Sequence, residues 1–159
     1  MSELTGESII AAHEALFSGD MDRIRQVWAE DARFQVASHH TKSGWHYGLQ
    51  AILDMVQWFQ AVTENYEMNS FATLINNDSG WTVDASHTHG VRPGADPNST
   101  SPYDVLNVDV VYMMRWENGK VVECRVALPG DDANNLVMFT SPVTGADQAK
   151  ARGELPHPK

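Results

Sequence analysis

VLNVDVVYMMRWENGKVVECRVAL, residues 105–128, decides the fold. Leu106, Val108, Val110, Tyr112 and Met114 recur at every second position, the period of a strand with one buried face. Asn107 and Asp109 begin its opposite face. Glu117-Asn118-Gly119-Lys120 supplies a tight turn, and Val121 to Leu128 returns as a final strand. Toward the N terminus, Ile9, Ile10, His13, Leu16 and Phe17 fall on one helical face. Gly19 ends that helix and Asp20 caps a second, whose apolar side is Ile24, Val27 and Trp28. Ala32 to Ser38 reads as a strand, with Phe34 and Val36 on one face. Helices first and a long antiparallel sheet last predict an α+β fold. In it a curved, mostly antiparallel sheet wraps around three N-terminal helices and encloses a pocket.

The middle of the chain fits between these ends. His39 to Tyr47 reads as a polar loop. Leu49, Ile52, Leu53, Val56 and Phe59 mark the third helix. Tyr66 to Asn76 alternates loosely as a strand, and Asn77-Asp78-Ser79-Gly80 is a turn. In the next strand, Trp81, Val83, Ala85, His87 and His89 share one face, and Thr82, Asp84, Ser86 and Thr88 share the other. The apolar start of the first set predicts that it faces inward. Val91 to Asp104 carries Pro93, Pro97, Pro102 and Gly94, which no regular strand accommodates. It is either a lid over the pocket, a plain extended loop or an arm reaching a partner subunit. One domain over 1–130 is expected. Residues 131–159 form a tail packed on that domain or extending from it, with a short apolar run from Leu136 to Phe139.

Twenty-one acidic against eleven basic residues leave a formal charge of −10 on 159 residues. Phosphate binding needs clustered Lys and Arg, so nucleic acid is an unsuitable partner, and so is an anionic membrane. The lone Cys124 excludes an internal disulfide and a cysteine zinc site. No apolar run reaches the length of a membrane span, and the first residues lack a signal-peptide pattern, so a cytoplasmic protein is expected.

Imidazoles are the sharpest chemical candidates. His87 and His89, aimed inward from one strand face, suit proton transfer near neutral pH. A His-x-His pair also suits a metal, yet no third ligand follows by spacing, so no metal or cofactor is expected. His13, in the middle of an apolar helix face, must find a partner or face a cavity. Tyr112, between Val110 and Met114, can donate to a developing oxyanion. Trp28, Phe34, Val36, Trp58, Val110, Met114, Cys124 and Val126 are expected around the pocket. Trp45 and His46 are expected at its mouth, with His39 and His40 in the same loop. Each has a plainer reading as a packed core or loop residue.

Five stretches, in order, resemble the SnoaL-like and ketosteroid-isomerase-like branch of the nuclear transport factor 2 superfamily. They are ALFSGDMDRI (15–24), WAEDARF (28–34), YGLQAI (47–52), SHTHG (86–90) and RWENGKVVE (115–123). The resemblance implies the cone-shaped fold of that superfamily and a homodimer formed through the sheet. Its activities include isomerases, cyclases, dehydratases, epoxide hydrolases and non-catalytic modules. The ketosteroid isomerases use a carboxylate base with a Tyr and a protonated Asp as oxyanion donors. Alignment on Gly19-Asp20 places Val36 at the base position and Ala12 at the Tyr position. Alignment on Gly119-Lys120 places Tyr112 where the donor Asp belongs. Cys124-Arg125-Val126 replaces the His-Trp-Asp run of many SnoaL-like cyclases. Neither chemistry carries over residue by residue.

The resulting expectation is cofactor-independent acid/base chemistry, an isomerase, cyclase or dehydratase (a lyase) acting on a carbonyl or ring substrate that is a small apolar or polycyclic organic molecule. His87 or His89 would move the proton, and Tyr112 or His13 would steady the charge. The alternatives are a non-catalytic ligand-binding or interaction module and, third, an epoxide or ester hydrolase.

Overall fold

The structure, a computed structural model, describes residues 3–36 and 42–147. Helix α1 (Gly6–Ser18) begins at Thr5, whose side chain and that of Ser8 cap each other's backbone N–H groups. Gly19, at φ 71°, closes it in the left-handed conformation a side chain would strain. Asp20 then caps α2 (Met21–Val27) by accepting from the backbone of Asp22 and Arg23. Trp28 opens β1 (Trp28–Val36) and does not continue the helix. β2 (Gly44–Tyr47) and α3 (Leu49–Ala61) follow. Next come β3 (Glu64–Asn76), β4 (Trp81–Val91), β5 (Val105–Glu117), β6 (Lys120–Ala127) and α4 (Asp132–Phe139).

The six strands form one open sheet in the order β2-β1-β6-β5-β4-β3. Only β1 and β6 run parallel. The Asn118-Gly119 turn, with φ of 51° and 77°, joins β5 to β6. The sheet packs its inner face on α1, α2 and α3. Ile9, Leu16, Ile24, Trp28, Ile52, Leu106, Val108 and Met114 form a single buried core there. Trp28 Nε1 donates to the Ala12 carbonyl at 3.0 Å, which pins β1 to α1.

Two elements were not expected. β2 lies where a polar loop was read. Its Trp45 points to the outer face, where the guanidinium carbons of Arg33 and Arg125 lie 5.1 and 5.2 Å from its ring centroid. Both arginines pair with the buried Glu123. Burial opposes the charge on Glu123, but the bonds from Arg125 and Arg33 outweigh it and hold its carboxyl below the ordinary range. The second element, α4, lies along β5. β6 pairs only from Val111 onward, which leaves the first half of β5 without a strand on that side. α4 covers this edge with side chains. Asn135 accepts from the Asn107 N–H and donates to the Val105 carbonyl, and Asp132 accepts from the Asp109 N–H.

The largest correction concerns β4. Thr82, Asp84, Ser86 and Thr88 are buried, whereas Trp81, Val83, Ala85 and His89 are only half-buried and His87 is exposed. Its register places Asp84 opposite Tyr112 and Ser86 opposite Val110. Directly opposed residues share a face, so the polar set points inward. Trp81, Val83, Ala85, His87 and His89 therefore lie on the outer face, contrary to expectation.

Candidate functional site

An apolar cavity of about 90 Å³ lies between the helices and the inner face of the sheet. Among the side chains expected around it, Trp28, Phe34, Val36, Trp58, Val110, Met114 and Val126 line it, as do His13 and Tyr112. Cys124 is buried in the core without lining the cavity, and burial pushes its thiol well up. Trp45 stands in the outer arginine cluster. His46 bonds through Nε2 to the Lys42 carbonyl at 2.7 Å and does not reach the cavity either. His39 and His40 lie outside the described residues. No residue of 92–104 lines the cavity; Leu136 of α4 does. The Pro-rich segment is instead tied to the end of α4 by Arg92, which donates to the Phe139 and Ser141 carbonyls at 2.6 and 2.7 Å.

His87 is committed elsewhere. Its Nδ1 lies 2.9 Å from Asp109 Oδ1 and its Nε2 2.9 Å from Asn107 Oδ1. The Asp109 bond raises its pKa, since that partner favours the imidazolium. His89 is half-buried on the same outer face. Among the described residues no three His, Cys, Asp or Glu side chains meet in a group that would hold a metal ion.

Polar groups of the cavity wall come from His13, Tyr66 and Tyr112, and Asp84 stands beside His13 without lining the cavity. His13, on α1, is 5% exposed, and its ring meets that of Tyr112 edge-on at 4.6 Å. Its Nε2 has no hydrogen-bond partner and lies 3.8 Å from Asp84 Oδ2. Burial lowers the His13 pKa to about 4 against the pull of Asp84, so the ring is neutral at pH 7. The Tyr112 and Tyr66 hydroxyls interact with each other, and burial raises both pKa values, Tyr112 the more strongly. Both therefore remain protonated donors at neutral pH.

Sequence reading missed Asp84 as an inward group, and the reason is local. Asp84 Oδ1 accepts from Ser70 Oγ and from Thr73 Oγ1 at 3.0 Å, and Oδ2 accepts from Ser86 Oγ at 2.7 Å. Strand alternation alone would put Ser70 and Thr73 on opposite faces. The register shift between Ser70 and Ala72 inserts Phe71 as an extra, exposed residue and turns both hydroxyls toward Asp84. The carboxylate is thus satisfied by hydroxyls. A readable signal was present in Ser70, Thr73, Asp84 and Ser86, four short polar residues on adjacent strands.

Next to the cavity, a second, open groove of about 670 Å³ lies between α1 and β3. His13, Phe17 and Tyr66 border both spaces, and Asp84 lies in the groove's floor. The cavity alone is smaller than the roughly 150 Å³ that holds a benzene ring. A polycyclic compound does not fit it as it stands.

A cone of helices and curved sheet with a buried polar end to an apolar pocket defines a class of small α+β domains, and the chain matches that class in sequence. Residues 9–124 match the SnoaL-like domain model, so the protein belongs to the SnoaL-like family. No curated protein matches it in sequence. Among solved structures it is similar to Bal32a from a soil-derived mobile gene cassette, at 20% identity and a TM-score of 0.70, covering 85% of this chain and 95% of that one. A putative polyketide cyclase from Sinorhizobium meliloti is similar at 15% identity and a TM-score of 0.57, covering 77% and 95%. A ketosteroid-isomerase-like protein from Catenulispora acidiphila, solved with trimethylamine, is similar at 14% identity and a TM-score of 0.60, covering 78% and 86%. At these identities the likeness is one of fold.

Proposed function

We propose that the protein catalyses cofactor-independent proton transfer on a compact carbonyl compound, as an isomerase, cyclase or lyase. The observation that carries this reading is the unpartnered, buried Nε2 of neutral His13, held between Asp84 and the Tyr112 ring at the wall of an apolar cavity. Neutral imidazole accepts a proton from a carbon beside the carbonyl. Asp84, 3.8 Å away, favours the imidazolium that results. Tyr112, with Tyr66 behind it, donates to the carbonyl oxygen as negative charge builds there. His13 thus takes the role first given to His87 and His89, and Tyr112 keeps its own. The test is deuterium exchange, followed by NMR, on a panel of small cyclic ketones in D₂O. Exchange that is lost in His13→Ala and Tyr112→Phe supports the reading. Its absence across the panel refutes it.

A non-catalytic binding module is the second reading, favoured by the small cavity and by the trimethylamine in one structural relative. Hydrolysis of an epoxide finds little support, because neither Asp nor Arg lines the cavity. Residues up to 130 would carry most of the site and α4 would close it, since Leu136 reaches the cavity. No helix of the described residues is long and apolar enough to cross a membrane, and a cytoplasmic homodimer is the assembly we favour. Exposed Leu74 lies beside Val83 and Met113 on the outer face of the sheet, an apolar row suited to pairing with a second copy.

A further inference from the structure

We infer that the substrate carries a protonated amine next to its carbonyl, with the ammonium seated on Asp84 at the junction of groove and cavity. The inference rests on the acid/base reading for the fate of the carbonyl, but the amine site stands on separate observations.

Asp84 is a buried carboxylate without a cation. It is 3% exposed, and the ion pairs of the described residues give it no Lys or Arg. Its nearest ionisable neighbour, His13, is neutral at pH 7. A carboxylate accepts about four hydrogen bonds. Ser70 and Thr73 occupy Oδ1, and Ser86 occupies one position on Oδ2. One acceptor position of Oδ2 remains, and the unpartnered Nε2 of His13 lies 3.8 Å from that atom. A buried charge of one sign with an unused acceptor position calls for a donor of the opposite sign.

The surroundings select the same class. Among the described residues no Lys or Arg lines the cavity or the groove, while the groove carries both Asp84 and Glu14. Phe17 and Tyr66, stacked on each other at 5.3 Å, line both spaces, and aromatic rings attract an ammonium. A carboxylate-bearing ligand would instead meet two like charges and no counterion.

With the ammonium on Asp84, the carbon bearing it lies before His13 and the carbonyl beneath Tyr112. The C–H bond breaks and its proton goes to His13 Nε2. The electron pair moves into a new carbon–carbon double bond, and the carbonyl oxygen takes the negative charge under the Tyr112 hydroxyl. Return of the proton to carbon regenerates neutral His13, with nothing oxidised or reduced. The adjacent ammonium makes the C–H more acidic, which suits so weak a base.

The experiment uses three ligands of one shape and different charge: isobutylamine, isobutanol and isobutyrate. Calorimetry at neutral pH on the whole protein should rank the amine first, by about tenfold or more over the alcohol, with isobutyrate weakest. Asp84→Asn, checked for folding by NMR, should remove the amine's advantage over the alcohol. Should that variant not fold, Ser86→Ala serves: it frees a second acceptor position on Oδ2, so the amine's advantage over the alcohol should grow, and a smaller advantage overturns the inference. Equal or tighter binding of isobutanol or isobutyrate overturns the inference, and so does binding of none of the three. Amine preference without deuterium exchange would sustain this site and sink the catalytic reading. Exchange on neutral ketones without amine preference would do the reverse.

Discussion

The two faces of β4 make opposite use of their residues. The inner face carries Thr82, Asp84, Ser86 and Thr88, all buried, with Thr82 accepting from Trp116 Nε1 at 3.0 Å and Asp84 held by three hydroxyls. The outer face carries Trp81, Val83 and Ala85, half-buried, and then the two imidazoles. Polarity therefore does not report orientation on this strand. A polar side chain is buried at little cost when its neighbours satisfy it, and an apolar one can stay outside when a sheet face is broad.

The contrast is most sharply broken by activity. If the inner face holds the chemistry, His13→Ala and Tyr112→Phe should each slow proton exchange by about 10²-fold or more, while His87→Ala leaves it within about twofold. A large loss in His87→Ala alone would reverse the assignment of faces to function.

Stability against pH comes next, because the two histidines titrate with opposite signs. The folded His13 has a pKa of about 4 against 6.5 in the unfolded chain, so between these values the unfolded state binds the extra proton. Its contribution is whole above pH 6.5 and falls as the pH drops toward 4, by about 3 kcal/mol. Chemical denaturation across that window should lose most of this slope in His13→Phe.

Packing is a smaller test. A Cβ added at Gly90 would lie 2.4 Å from Thr63 Cγ2, so Gly90→Ala should cost about 1–3 kcal/mol in urea unfolding. An outward change such as Ala85→Ser should cost well under that, within ~0.5 kcal/mol.

The smallest effect belongs to His87. Its pKa is raised above 6.5, so its stabilisation is present below that value and disappears as the pH rises through the folded pKa. The pair is exposed and screened by solvent, so His87→Gln should alter the melting midpoint only slightly, and only on the acidic side.

Much of this architecture was readable beforehand. The alternation of Leu106 to Met114 identified the inner face of β5, and with it Tyr112. The period of Ile9 to Phe17 placed His13 on the buried side of α1. Trp45 was misplaced because its environment comes from Arg33 and Arg125, distant in sequence and brought together only by the β1–β6 pairing. α4 was half seen, as an apolar run, since its role depends on the strand edge it covers.

The amino-acid order by itself determined the elements: helix faces, caps, the Asn118-Gly119 turn and the alternation of β5, all of which depend on residues within a few positions of one another. Only the tertiary structure decided which way β4 faces. A side-chain period of two means that a shift of one residue exchanges the faces, and the irregular connection from Arg92 to Asp104 does not set the register as a two-residue turn would. Contact with β5, and the bulge that aims Ser70 and Thr73 at Asp84, make that choice. The pairing of Asp84 with His13 follows from it.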